Sequence, residues 1–263
     1  MNNMKVVILA GGYGTRISEE SGIRPKPMVE IGGKPILWHI MKIYSHYGIK
    51  DFIICAGYKA EVIKNFFAGY LLHSRDIQFD VANNKINILK DGVEEWNVIV
   101  ADTGDKVMTG GRLKRAKEYI GNETFLMTYG DGVSDIDINE LIEFHKSQNV
   151  YATTTAVKAP GRFGTFKLEE GQTKISNFRE KAEDDGIRIN GGFFVLEPEV
   201  FDYIEGDNTT WELEPMQKLA HDGKLAGFRH NGFWQNMDSL RDKNILEEMW
   251  NKENPPWKVW DKK

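Results

Sequence analysis

The chain has 263 residues, a net charge of −5 and a hydrophobic fraction of 41%, which suffices for a sizeable core and fits one large α/β domain, though length alone also permits two. The acidic balance excludes a broad nucleic-acid footprint, so any phosphates must be held by a few placed cations. A single cysteine, Cys55, rules out an internal disulfide, and no apolar run approaches the ~18–20 residues of a membrane span or forms a signal-peptide core, so the chain reads as cytoplasmic, with no membrane partner.

Taken in chain order, strands and helices alternate, which predicts a mostly parallel sheet. Lys5 to Ala10 is a β-branched apolar run, the pattern of a buried strand. Ile36 to Tyr47 has helical spacing, Asp51 to Cys55 is a second strand, and Glu61 to Leu72 a second helix. Ile77 to Leu89 alternates weakly about Asn83-Asn84, as a hairpin would. Trp96 to Val100 is a third core strand and Arg112 to Tyr119 a helix opened by Gly110-Gly111, with Thr109 as its cap. Phe125 to Tyr129 is a fourth strand, ending at Gly130-Asp131-Gly132, and Ile138 to Gln148 is helical. Further strands are predicted over Ala152 to Val157, Gly164 to Leu168, Lys174 to Phe178 and Asn190 to Leu196. Helices follow near Trp211 to His221 and Ser239 to Trp250. The tail through Trp257 and Trp260 can pack on its own domain or on a partner subunit.

The stretch after the first strand carries the chemistry. Gly11-Gly12-Tyr13-Gly14-Thr15-Arg16 offers a tight bend, exposed amides and a forked cation, a combination suited to a polyphosphate. Two familiar glycine motifs fail on the residues. A dinucleotide fingerprint lacks its third small residue at Arg16-Ile17, and the second strand runs into Ala56-Gly57-Tyr58 without an acid for a ribose. A P-loop fails because Pro35 follows Gly33-Lys34 where Ser or Thr should stand, and Met28 replaces the leading glycine. The histidines show no zinc-like spacing, and no serine elbow or cysteine–histidine pairing points to a covalent intermediate.

LAGGYGTR followed by RPKPMVEIGGKPIL resembles the signature of the sugar-1-phosphate nucleotidylyltransferases. TGGRLKR, TYGDG, PGRFGT, NFREK, INGGFFV, TTWE and GFWQNMD are similar to the cytidylyl branch of that family, and the resemblance runs from about Lys5 to Trp260. It implies a single Rossmann-like nucleotide-diphospho-sugar transferase domain with helices on both sheet faces and a smaller β region for the sugar phosphate. Residues 1–135 would be mainly nucleotide-binding and 136–263 mainly sugar-phosphate-binding. The implied reaction joins CTP and α-D-glucose 1-phosphate to give CDP-glucose and pyrophosphate, with Mg²⁺ as cofactor, in a homo-oligomer supplying surface polysaccharide.

In residue terms the resemblance implies a nucleotide site of Leu9, Ala10, Gly11, Gly12, Tyr13, Gly14, Thr15, Arg16, Lys26, Thr109, Gly110, Gly111 and Gly130. Arg16 would hold the outer phosphates and Lys26, between Pro25 and Pro27, the α-phosphate. Tyr129, Gly164, Glu180, Lys181, Asn190 and Gly191 would surround the sugar phosphate, with Lys181 joining Arg16, Lys26 and Asp131 in catalysis. Asp131 and Asp238 would hold the metal, in keeping with magnesium's use of one or two carboxylates plus phosphate and water. Simpler readings stand beside these: Asp131 as a turn former and Asp238 as the cap of the last helix. The base stays open between cytidylyl and uridylyl or thymidylyl transfer. A metal-dependent glycosyltransferase, reading Asp131 to Asp135 as its acidic motif, is a rival of another class, as is a regulatory protein that binds the ligands without turnover.

Overall fold

The computed structural model describes residues 4–89, 94–158, 165–167, 176–179, 188–252 and 254–261. The elements that build the site are β1 (Lys5–Leu9), α1 (Ile36–His46), β2 (Asp51–Ala56), α2 (Ala60–His73), β3 (Asn97–Asp102), α3 (Thr109–Arg115) and β4 (Phe125–Tyr129). They continue with β5 (Gly132–Ser134), α4 (Ile138–Gln148), β6 (Ala152–Lys158), β7 (Arg188–Leu196), α5 (Glu214–His221), β8 (Leu225–Arg229), β9 (Trp234–Asn236) and α6 (Leu240–Asn251). Seven strands form the main sheet in the order β8-β6-β7-β4-β1-β2-β3, parallel throughout except for β7.

Apolar runs form the central strands because both sheet faces are covered. Val6 and Ile8 of β1 face one apolar layer with Ile40 and Ile43 of α1 and Ile63 of α2. Val7 and Leu9 face the other, with Leu113 of α3, Leu219 of α5 and Trp211 from the segment before α5. Cys55 is fully buried in the second layer, and burial pushes its thiol up to about 12, as expected of a core residue without reactivity. The order places β1 between β2 and β4, so the chain runs to one side through β2 and β3 and then crosses to the other side of β1 at β4. Ligand sites of open α/β sheets lie at the carboxyl ends of strands beside such a point. The loops after β1 and β4 meet there.

The largest departures from the sequence reading are short or edge strands. β5 and β9 have three residues each, too few to show alternation, and β8 is a half-exposed edge containing Gly227. The helix expected over Arg112 to Tyr119 starts three residues earlier, at Thr109, and breaks before Lys117. The helix expected near Trp211 begins only at Glu214, since the Trp211 amide instead donates to Thr109 Oγ1 at 2.9 Å. The hairpin forms as Ile77–Asp80 against Lys85–Ile88, with Asn84 at φ 50° in its turn. Of the two strands expected after β6, Thr165–Lys167 and Ser176–Arg179 pair antiparallel, and Gly164, Leu168 and Lys174 lie outside the described residues.

The tail packs on its own domain. Trp257 is buried and stacks with Trp250 and Phe233, and Trp260 meets Trp38 edge-on. At the centre lies His39 of α1, with Nε2 at 2.8 Å from the Ile31 carbonyl and Nδ1 at 3.4 Å from the Trp257 indole N–H. The indole is donor only, so Nδ1 accepts and Nε2 carries the proton. Burial lowers the His39 pKa to about 4 from 6.5. The unfolded chain therefore takes up a proton that the folded chain refuses. Stability from this group is complete above pH 6.5 and is lost as pH falls toward 4, by on the order of 3 kcal/mol. Urea unfolding at pH 7 and pH 4.5 should show a larger acid loss in the native chain than in His39→Gln, and equal losses would exclude His39 as the cause.

Candidate active site

One buried arginine builds the floor of the site. Arg112 of α3 is 4% exposed, and its guanidinium reaches under the loops that follow β1, β2 and β3. Nη2 donates to the carbonyls of Gly11 (2.9 Å) and Asp105 (3.2 Å), and Nη1 to Thr103 Oγ1 (2.8 Å), the Gly104 carbonyl (2.8 Å) and the Ala56 carbonyl (3.3 Å). A Cβ on Gly11 or Gly57 would overlap Arg112 Nη1. Gly11 is thus glycine for the arginine beneath it. A Cβ at Gly12 would meet nothing within 4 Å, and Gly14 adopts φ +63°, which favours glycine. Among the described residues, the amides of Gly12, Tyr13, Gly14 and Thr15 carry no hydrogen bond, so this stretch keeps its donors for an anion.

Above this floor opens a cleft of about 390 Å³. Of the residues expected at a nucleotide, Leu9, Ala10, Gly11, Gly12, Tyr13, Gly14, Thr15, Arg16, Lys26, Thr109 and Gly130 line it, together with Tyr129 and Asp131. Gly110 and Gly111 do not. Their amides donate to the Thr209 carbonyl at 2.9 and 3.2 Å, and a Cβ at either would lie 2.8 Å from Thr209 O or 2.6 Å from Asp207 Cα. These glycines admit the 207–209 backbone. Thr109 is likewise not the helix cap, which is Met108; its hydroxyl donates to Glu212 Oε2 at 2.7 Å. Pro27, Asp105, Lys106, Val107, Met108 and Arg112 complete the wall; of these the sequence reading had Arg112 only within TGGRLKR and Pro27 only as a flank of Lys26. An arginine among the buried positions of α3 was the available signal for Arg112.

The charged centre stands at the edge of the cleft. Pro25 is extended (φ −67°, ψ 150°) and leads into a short turn, Lys26–Met28, in which Pro27 and Met28 are buried and so anchor Lys26. Lys26 Nζ donates to Asp131 Oδ2 at 2.6 Å and Asp238 Oδ1 at 2.5 Å, while Arg16 Nη1 donates to Asp238 Oδ2 at 2.9 Å. Burial works against the Lys26 charge, but the two carboxylates outweigh it and hold its pKa above the usual lysine value.

The pairing of β5 with β9 brings Asp131 and Asp238 together. Gly132 faces Asn236, and the Met237 amide donates to the Asp131 carbonyl at 2.8 Å, so the next residue is Asp238. The far end of this ribbon is tied by Asp135 Oδ1, which accepts from the Phe233 amide at 2.7 Å and lies 3.0 Å from His230 Nε2. Asp135 lines neither cleft described here. Nor does Asp238 cap α6. Ser239 does, in a capping box with Asp242.

Two carboxylate oxygens bonded to one ammonium surround a single cation position, which is the donor set a divalent ion shares with phosphate oxygens and water. Among the described residues no group of three or more His, Cys, Asp or Glu side chains forms a metal cage. The pair is suited to a metal that arrives with phosphate.

A second cleft, of about 320 Å³, shares Arg16, Tyr129 and Asp131 with the first and also holds Asn190, Gly191 and Asp238. Asn190 Nδ2 donates to the Tyr129 hydroxyl at 3.2 Å, and Trp234 Nε1 to the Gly191 carbonyl at 2.7 Å. Burial first, then the nearby Glu212 carboxylate, raises the Tyr129 pKa well above its ordinary value, so the hydroxyl stays protonated. Trp234 and Asn236 line this cleft too; the sequence reading had them within GFWQNMD without a role of their own, because their strand was not recognised. Gly164, Glu180 and Lys181 lie outside the described residues.

A nucleotidyl transferase family model matches residues 5–243, and the chain belongs to that family. It is 58% identical over 259 residues to the glucose-1-phosphate cytidylyltransferase of Salmonella typhi, covering 98% of this chain and 100% of that one. The probable glucose-1-phosphate cytidylyltransferase of Bacillus subtilis is 48% identical over 260 residues, again 98% of this chain and 100% of the relative. Among solved structures, HddC from Yersinia pseudotuberculosis complexed with GMP-PN superposes with a TM-score of 0.66 at 25% identity, over 94% of this chain and 99% of that one.

The two adjacent glycines should respond differently to alanine. Gly11→Ala must displace the Arg112 guanidinium and should lose about 1–3 kcal/mol of stability, the usual range for overpacking. Gly12→Ala should unfold within about 0.5 kcal/mol of the native chain, as a substitution outside a packed feature does. Denaturant unfolding of both variants checks this; equal losses would remove Arg112 as the reason for Gly11.

Proposed function

We propose that this chain transfers the cytidylyl group of CTP to α-D-glucose 1-phosphate, giving CDP-glucose and pyrophosphate. The observation that carries the reaction type is the convergence of Lys26, Asp131 and Asp238 where the two clefts share a wall. The choice of base and sugar is supported by the Salmonella typhi and Bacillus subtilis relatives. In this reading the nucleotide occupies the cleft over Arg112 and the sugar phosphate the one beside Asn190 and Trp234. The division between residues 1–135 and 136–263 follows from it approximately, with Arg16 serving both sides.

A phosphate oxygen of the sugar attacks the α-phosphorus in line; a P–O bond forms, the α–β anhydride bond breaks, and its electrons leave on pyrophosphate. Two anions must meet, so catalysis is positioning and charge neutralisation. The amides of Gly12 to Thr15 and the Arg16 guanidinium hold the outer phosphates and the charge that departs with them. Lys26 steadies the α-phosphate. By the family resemblance, Glu180 accepts sugar hydroxyls and Lys181 neutralises the incoming phosphate. A divalent cation, Mg²⁺ in this reading, would be held by Asp131 and Asp238 and supplies further neutralisation of the triphosphate when bound. A cytoplasmic homo-oligomer that supplies nucleotide sugar for surface polysaccharide completes the reading, on the resemblance alone.

Pyrophosphate release measured separately with CTP, UTP and dTTP, each with glucose 1-phosphate, tests the base; equal or better turnover with UTP or dTTP would sink the cytidylyl assignment. Asp131→Ala should lower turnover by roughly three powers of ten, equal to ~4 kcal/mol of barrier. Near-normal turnover of that variant at saturating Mg²⁺ would remove Asp131 from the mechanism.

A further inference from the structure

The two cations assigned to the triphosphate are bonded, in this structure, to the two carboxylates assigned to the metal. Lys26 bridges Asp131 Oδ2 and Asp238 Oδ1 at 2.6 and 2.5 Å, and Arg16 reaches Asp238 Oδ2 at 2.9 Å. With two positive and two negative side chains, the formal charges of the group cancel. A metal bridging these two oxygens would need the place that Lys26 Nζ holds. Two oxygens within 2.6 Å of one nitrogen surround a single position, and an ion such as Mg²⁺ needs oxygens at about 2.0–2.1 Å from that same position. An ammonium held between them would also repel a dication at contact distance.

We propose that Lys26 is an internal counter-ion which the metal displaces, so that metal and triphosphate enter as a linked pair. The phosphates take the ammonium, and the released carboxylate oxygens take the metal. The inference rests on the nucleotidyl-transfer reading but not on the identity of the base. Lys26 is built for the exchange. Its backbone is fixed between two prolines, its side chain is 12% exposed, and its long stem lines the nucleotide cleft beside the carboxylates. Arg16 contributes less, since its side chain is 76% exposed and its ion pair is screened. The exchange also fits a site that shows two carboxylates among the described residues. Alone they prefer the ammonium already present, and a phosphate must arrive before the metal can win.

The test is Mn²⁺ binding, read by paramagnetic resonance on the full chain without nucleotide. Lys26→Gln should bind Mn²⁺ about tenfold or more tightly than the native chain, within the usual range of coupling between linked ligands. Lys26→Met, which keeps the stem and cannot hydrogen-bond, should behave the same and separates loss of charge from new contacts. Asp131→Asn should abolish the binding. Calorimetry with CTP, first in EDTA and then at saturating Mn²⁺, reads the linkage from the other side. The tightening of CTP by Mn²⁺ should shrink about fivefold or more in Lys26→Gln, because linkage is reciprocal. Mn²⁺ affinity no higher in either Lys26 variant than in the native chain would overturn the proposal, as would unchanged binding in Asp131→Asn. If UTP or dTTP couples to Mn²⁺ in this way and CTP does not, the exchange stands and the choice of CTP falls.

Discussion

A buried guanidinium whose hydrogen bonds, among the described residues, all go to neutral oxygens is the constraint on which the site depends. A charge removed from water is costly unless its donors are met. Arg112 meets that demand with five neutral oxygens drawn from the ends of three neighbouring strands. The arrangement fixes the loops after β1, β2 and β3 relative to one another, and it leaves the positive charge unneutralised by those contacts, beneath the cleft. An anion held by the glycine-loop amides would feel that charge at low dielectric.

The neighbouring charges follow a different rule. Arg16, Lys26, Asp131 and Asp238 neutralise one another across short contacts. One part of the site therefore carries a fixed positive field, and the other is a balanced set able to change partners. The fixed part sits under a continuous sheet, where packing resists movement. The exchangeable part sits on a three-residue ribbon and a turn between prolines, where a long side chain can swing without disturbing the core.

Much of the fold was legible because its strands and helices are locally periodic. Phe125 to Tyr129 and Ile138 to Gln148 have the limits expected from pattern alone, and most other elements differ by a residue or two. The failures share a cause. β5, β8 and β9 are too short or too exposed to carry a periodic signal, and only their partners across the sheet make them strands. With β9 hidden, Trp234 and Asn236 could not be placed beside Asn190, and only the family resemblance, not its own position before Ser239, set Asp238 with Asp131 rather than as a helix cap. Gly110 and Gly111, packed against the 207–209 backbone, show a related limit. Glycine marks close approach, but the sequence does not say whether a ligand or another loop approaches.

From the sequence alone came the apolar strand, the glycine turn after it, the cation that ends the turn and the lysine held between prolines. Each follows from backbone stereochemistry and polarity within a few residues. The fold decided which distant groups share a space: Arg112 with Gly11, Asp131 with Asp238, and Lys26 between the two acids. Those contacts depend on sheet order and on the register of a short ribbon. Neither is encoded within any one segment, because hydrogen bonding and packing select them only when the whole sheet is assembled.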